Sequence, residues 1–316
     1  MHSIYPLQTA AEPLRDTVVA IGVFDGVHRG HQEILKQTVR EAQSQGLSPV
    51  ALTFDIHPGE LFAPSQSPPY IASLAQRVSL IDTYGGGIET VAFVQFDRAF
   101  AGLSPDSFVT DVLEGRLGAR HVLVGADFCY GKGRAGTVTT LLQAGAQCGF
   151  TVTVVPPILI HNQRVSSTQI RGLVMEGDLP AAIDLLGHPF VVEGTVGHGK
   201  QLGRTLGYPT ANLFPTQPNQ LLPGNGVYAA YAHLESGQTV RAAVSVGTNP
   251  TTDTDGGRKV EAFLMDSFRG DLYGQSFALD FRVKVRDEQK FDGLDALIVQ
   301  MAADVAGIAE NLPLPG

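Results

Sequence analysis

Val18-Val19-Ala20-Ile21-Gly22-Val23-Phe24-Asp25-Gly26-Val27-His28-Arg29-Gly30-His31 takes the chain from a short apolar run, through a glycine-punctuated turn, into a helical pattern over 32–45. The run is too short and too β-branched for a helix, so it reads as a buried strand. Gly22 and Gly26 let the backbone bend tightly and approach a ligand closely. The first N–H groups of the next helix lack intrahelical acceptors and sit at its positive dipole end, which suits an anion. His28 and His31, three residues apart, share one side of a first helical turn and are placed to donate to phosphate. By spacing alone, an ordinary surface turn with two solvated histidines fits as well.

The same unit recurs downstream. Apolar runs at 49–54, 90–94, 121–125 and 150–155 are each preceded by a helical pattern. Continuous β-branched runs alternating with helices predict an α/β domain with a Rossmann-like parallel sheet, covered on both faces. In such sheets ligands bind beyond the carboxyl ends of the strands, where 22–31 falls. After Leu186-Gly187-His188-Pro189 the rhythm changes. Strand-like runs at 191–196, 226–234, 240–246, 260–265 and 276–285, separated by Gly/Pro/Asp turns, predict a small antiparallel β-barrel. Leu294, Leu297, Ile298, Met301 and Val305 recur at helical intervals, so an amphipathic α-helix is expected to pack on that barrel. The expected domains are therefore 1–186 and 187–316, with one site each.

Composition narrows the partners. The 316 residues are 43% hydrophobic and 17% charged with a net charge of −9, which describes a globular chain and argues against non-specific nucleic-acid binding. The start Met-His-Ser-Ile-Tyr-Pro lacks a secretory signal pattern, and Pro156 and Pro157 interrupt the longest apolar stretch, so no membrane partner is expected. Cys129 and Cys148 form neither a CxxC nor a metal-ligand spacing, which fits a reducing, cytoplasmic setting. A homo-oligomer is compatible with the sequence, which does not decide it.

A second constellation lies past the boundary. Gly197, Gly199, Gly203 and Gly207, with Lys200 and Arg204, form a loop able to wrap a polyanion through backbone N–H groups. No Gly-Lys-Ser/Thr closes it, so it is not a Walker A loop. Thr210 and Asn212 are two apart and face the same way on an extended strand, offering hard oxygen ligands suited to Mg²⁺. By composition alone, a plain turn into a strand is the favoured reading. Glu261, in Val260-Glu261-Ala262-Phe263-Leu264, reads either as a base or as an outward charge on an alternating strand.

Taken together, four N-terminal segments resemble bacterial bifunctional riboflavin kinase/FAD synthetases. Gly22-x-Phe24-Asp25-Gly26-x-His28-x-Gly30-His31 resembles the HxGH signature of nucleotidyltransferases. Thr53-Phe54-Asp55-Ile56-His57-Pro58 resembles the family's flavin-side loop, Gly125-Ala126-Asp127 onward its nucleotide loop, and Ser166-Ser167-Thr168-Gln169-Ile170-Arg171 its second phosphate motif. In the C-terminal half, Leu202-Gly203-Arg204-x-x-Gly207-x-Pro209-Thr210-Ala211-Asn212 resembles the riboflavin kinase signature, followed by further landmarks through Phe291.

The resemblance implies phosphorylation of riboflavin to FMN by the C-terminal domain and adenylylation of FMN to FAD by the N-terminal one, with ATP as co-substrate and Mg²⁺. It implies that Gly22, Phe24, Asp25, Gly26, His28, His31, Asp127, Ser166, Ser167, Thr168 and Arg171 bind the adenylyltransferase ATP, Asp127 at the ribose, and that His28 and His31 are catalytic there. The Ser166–Thr168 stretch also suits a helix N-cap. Gly199, Lys200, Gly203, Arg204, Gly207, Thr210 and Asn212 would bind the kinase ATP, Thr210 and Asn212 through the metal, with Glu261 as general base. His57, Pro58 and Arg286 would contact flavin. Two positions depart from the family pattern: Tyr208 stands where Phe is usual and Phe263 where many members carry His. The competing readings are a monofunctional riboflavin kinase with a divergent nucleotidyltransferase module, and a non-catalytic flavin or nucleotide sensor.

Overall fold

The computed structural model describes residues 3–197, 208–247, 258–266 and 272–314. Two compact units are present, Met1–Pro68 with Ser73–Ser166, and Pro69–Ala72 with Ser167–Gly316.

The first unit is built on strands β1 (Ser3–Pro6), β2 (Thr17–Ile21), β3 (Ser48–Phe54), β4 (Thr90–Val94), β5 (Ala119–Gly125) and β8 (Thr151–Val155); the two-residue ladders Cys129–Tyr130 with Gly136–Thr137 and Leu159–Ile160 with Gln163–Arg164 are β6, β7, β9 and β10. The main sheet runs in the order β1-β4-β3-β2-β5-β8, parallel throughout. Strand order reverses beside β2, so the crevice between the carboxyl ends of β2 and β5 is where this topology leaves room for a ligand. Both expected nucleotide segments, after Ile21 and after Gly125, leave the sheet there.

Helices α1 (Arg29–Gln45), α2 (Leu74–Tyr84), α3 (Arg98–Ala101), α4 (Pro105–Ser107) and α5 (Val138–Cys148) belong to this unit. α1 starts at Arg29, ahead of the helical pattern in the sequence, because the His28 side chain caps it. It ends at Gly46, whose left-handed φ of 67° closes the last turn without a Cβ penalty. Leu35, Val39 and Ala42 on its buried face pack onto the sheet, the helical spacing expected of a covering helix.

The second unit holds α6 (Ser167–Glu176), α7 (Leu179–Leu186) and a closed barrel of β11 (Phe190–Gly197), β12 (Thr210–Pro215), β13 (Gly226–Leu234), β14 (Thr239–Gly247), β15 (Lys259–Leu264) and β16 (Ser276–Arg286), ordered β11-β12-β15-β14-β13-β16 and antiparallel throughout. The C-terminal helix α8 (Leu294–Asn311) covers part of its outer face through Val305 and Ile308, which pack with Tyr231, Ala243 and Phe263. Leu294, expected on the packed stripe, is exposed instead. The compact units divide after Ser166, whereas the change in sequence rhythm falls at 186/187; α7 packs on β16 and β11, so 167–186 goes with the barrel.

Candidate functional sites

In the first unit, the segment after β2 is a strained, buried turn. Phe24 (φ 52°), Gly26 (φ 76°) and Val27 (φ 37°) all lie in the left-handed region. For non-glycine residues that costs on the order of 1–3 kcal/mol each, and it persists only where the surroundings over-determine the backbone. Here they do: Gly22 N donates to Leu52 O at 3.1 Å, Val27 N to Phe24 O at 3.0 Å, and Gln32 Nε2 to Val27 O at 2.9 Å. Phe24 and Val27 are buried beneath the turn.

This turn delivers the two histidines. Their rings are stacked, 3.6 Å between centroids and 16° apart, and Phe24 meets His31 edge-on at 5.4 Å. The His31 backbone N–H donates to His28 Nδ1 at 3.3 Å. Accepting there puts the proton of a neutral His28 ring on Nε2. A Cβ on Gly30 would come within 3.1 Å of His28 Cε1, so glycine at 30 leaves room for the ring to lie over the helix start.

Burial holds the His31 imidazole well below its ordinary value of 6.5, helped by the neighbouring His28 and the Arg77 cation. His31 is thus a neutral ring with one N–H at neutral pH, not an imidazolium. The unfolded chain binds a proton the folded chain refuses, so this contribution to stability is present above 6.5 and is lost as pH falls below it. The urea midpoint of the first unit should fall with acidification in this range, and His31→Gln should flatten the dependence.

Asp127, beyond β5, is exposed, and its Oδ2 accepts from Arg164 Nη2 at 2.6 Å, an ion pair the sequence does not announce. His57 Nδ1 accepts from Gly59 N at 3.1 Å in the loop after β3, next to Pro58. Phe54, Phe96, Phe100, Phe108, Tyr130 and Phe128 form a chain of ring contacts near the carboxyl ends of β3, β4 and β5, also unforeseen. Ser166 closes the first unit. Ser167, Thr168 and Arg171 fall on α6 in the second, where Arg171 Nε donates to Pro69 O at 2.8 Å.

In the second unit, Val260, Ala262 and Leu264 point into the barrel, so Glu261 and Phe263 project outward. Register then assembles the site: Asn212 is paired with Glu261, Thr210 with Phe263, and Ser245 with Glu261 from the other side. Thr210, Ser245 and Glu261 line a cavity beneath α8, with Val227, Ala243, Phe263, Leu297, Met301 and Val305 as its apolar wall. Asn212 lies on the same strand face as Thr210. Glu261 is half-buried on the wall of this cavity. Tyr208 and Phe263, the two departures from the family pattern, pack edge to face at 5.2 Å.

Arg286 also lines this cavity, but its fork is engaged. Nε and Nη2 donate to the buried Asp304 carboxylate of α8 at 2.8–2.9 Å, with Phe291 under the guanidinium at 5.7 Å. Removing one partner of such a pair strands a buried charge, so Asp304→Ala should cost about 3–5 kcal/mol in thermal or urea unfolding, and Arg286→Met/Asp304→Leu should recover most of it. Gly199, Lys200, Gly203, Arg204 and Gly207, and the landmarks at 248–251 and 271, lie outside the described residues.

A family model described as FAD synthetase matches residues 10–169, and one described as riboflavin kinase matches 186–312. The chain belongs to the bifunctional riboflavin kinase/FMN adenylyltransferase family. Relatives carrying that description include those of Escherichia coli K12, 36% identical with 92% of this chain and 91% of the relative covered, and Pseudomonas fluorescens, 38% identical with 92% of each covered. That of Listeria monocytogenes is 35% identical, with 96% of each chain covered. A crystal structure named as a macrolide-efflux protein from Streptococcus pneumoniae superposes with a TM-score of 0.84 at 30% identity, covering 98% of this chain and 99% of that one. Among the described residues here, no helix is long and apolar enough to cross a membrane.

Proposed function

We propose that the chain performs two consecutive transfers from ATP. In the barrel unit, the ribityl 5′-hydroxyl of riboflavin attacks the γ-phosphorus of ATP, giving FMN and ADP. In the sheet unit, the FMN phosphate attacks the α-phosphorus of a second ATP, giving FAD and pyrophosphate.

In the barrel, Glu261 takes the hydroxyl proton as the new P–O bond forms. The apolar wall under α8 receives the flavin ring, with Arg286 at its edge. Thr210 and Asn212 suit Mg²⁺: both offer neutral hard oxygens, they share a face with the Glu261 carboxylate, and substrate phosphates would complete the shell. The ion, when bound, neutralises charge on the transferring phosphates. Gly199, Lys200, Gly203, Arg204 and Gly207 are assigned to the same triphosphate on the sequence signature.

In the sheet unit no covalent enzyme intermediate is needed, so positioning and charge stabilisation carry the rate. His28 Nε2 and the neutral His31 ring donate to the ATP phosphates beside the start of α1 and the 22–26 turn. Asp127 takes the ribose hydroxyls, and His57 and Pro58 lie on the flavin side. Ser166, Ser167, Thr168 and Arg171 are assigned to phosphate on their motif. We assign the protein to the cytoplasm, a compartment that supplies ATP and keeps thiols such as Cys129 and Cys148 reduced.

The observation that carries this reading is the pairing of Glu261 with Asn212 across β15 and β12, which brings a carboxylate to the metal-type oxygens on one barrel face. Phosphorus-labelled ATP tests it. Label in the γ position should enter both FMN and FAD, whereas label in the α position should enter FAD alone. Absence of α label from every flavin would contradict the adenylyl transfer.

A further inference from the structure

We infer that Arg77, on α2, is a positioning residue for adenylyl transfer: its guanidinium holds the 22–27 turn in the conformation that presents His28 and His31 to ATP. The inference rests on the assignment of that turn to ATP.

Arg77 is fully buried, an unusual position for a cation, and its fork is spent on backbone and hydroxyl acceptors of the turn's two flanks. Nη1 donates to Val23 O at 2.9 Å and to Thr53 Oγ1 at 3.3 Å, and Nη2 donates to Asp55 O at 3.1 Å. Thr53 Oγ1 in turn donates to Val23 O at 2.9 Å. One side chain therefore ties the carbonyl preceding Phe24 to the end of β3. Phe24, the next residue, is the first of the left-handed residues in the turn. A strained backbone of this kind relaxes unless it is held, and relaxation would carry the His28–His31 stack away from the crevice. The planar fork matters as much as the charge, because three acceptors, one in the turn and two at the end of β3, must be met at once. α2 is itself fixed at its start by a capping box between Ser73 and Gln76, which sets the angle from which Arg77 enters. The cation also contributes to keeping His31 neutral, which gives the residue a spectroscopic signature separate from fold stability.

Two variants of the full chain, Arg77→Met and Arg77→Lys, separate geometry from charge. For Arg77→Met, KM for ATP in FMN adenylylation should rise on the order of 10–10²-fold, the scale of a misplaced reactant, with a smaller change in kcat. Riboflavin phosphorylation by the same preparation should stay at the wild-type rate. The His31 ring resonances should titrate at higher pH in Arg77→Met and as in wild type in Arg77→Lys, which keeps the charge. Arg77→Lys should still raise KM severalfold, because an ammonium cannot span the three acceptors. If Arg77→Met does not fold, Arg77→Lys decides, and a wild-type KM for ATP in it overturns the inference. Unchanged KM in a folded Arg77→Met does so as well. His28→Ala separates the premise: if it keeps full FMN adenylylation, the turn does not bind ATP and the underlying assignment fails. If His28→Ala is inactive while Arg77→Met behaves as wild type, only the role of Arg77 falls.

Discussion

In Glu261→Ala, FMN formation from riboflavin falls by about 10²–10⁴-fold, the usual contribution of a positioned general base, while supplied FMN is still converted to FAD at the wild-type rate. The size of the effect follows from where the carboxylate sits. A ribityl hydroxyl is a very weak acid, so its proton must leave as the oxygen attacks, and Glu261 is the carboxylate that register places beside Asn212. The variant leaves the barrel interior intact, because Val260 and Ala262 hold the core side of the strand. Steady-state rates with each flavin, separated by chromatography, check both halves of the expectation. Equal loss of both reactions in a folded protein would contradict the division of labour.

His28→Ala gives the mirror image: FMN adenylylation falls by about 10²–10³-fold, as for loss of one preorganised donor to a developing charge, and riboflavin phosphorylation is retained. Two effects must be told apart, because His28 also caps α1 through the His31 N–H. Losing a cap costs about 0.5–2 kcal/mol, too little to unfold an ordinary domain. His28→Asn restores a capping acceptor without an imidazole N–H in the same place. It should recover the melting temperature and leave adenylylation low. Recovery of activity along with stability would assign His28 to structure alone.

Much of this arrangement is legible in the sequence, and the exceptions share a cause. The sheet and barrel strands declare themselves through β-branched runs, but Ser3–Pro6 does not: it is four residues long, ends in proline and pairs only at the sheet edge. Thr210, Asn212 and Glu261 are nameable as donors of the right chemistry. Their meeting is not, because it depends on β12 pairing with β15 across two intervening strands of the chain. Arg77 carries no signal in the sequence, since the acceptors that let it be buried come from Val23, Thr53 and Asp55. Asp304 and Arg164 are hidden in the same way: each has meaning only through a partner on another element, Arg286 and Asp127. The helices at 167–186 read as the end of the α/β pattern, yet α7 packs on β11 and β16, a choice local periodicity does not encode.

The central claim is that one chain carries two separate transfer sites acting in series. Its most direct test is a time course of the purified protein with riboflavin, ATP and Mg²⁺, the flavins being separated by chromatography. FMN should appear first and FAD should follow at its expense. FMN that accumulates with no FAD would leave only the kinase, and riboflavin that stays unconverted would contradict the account as a whole.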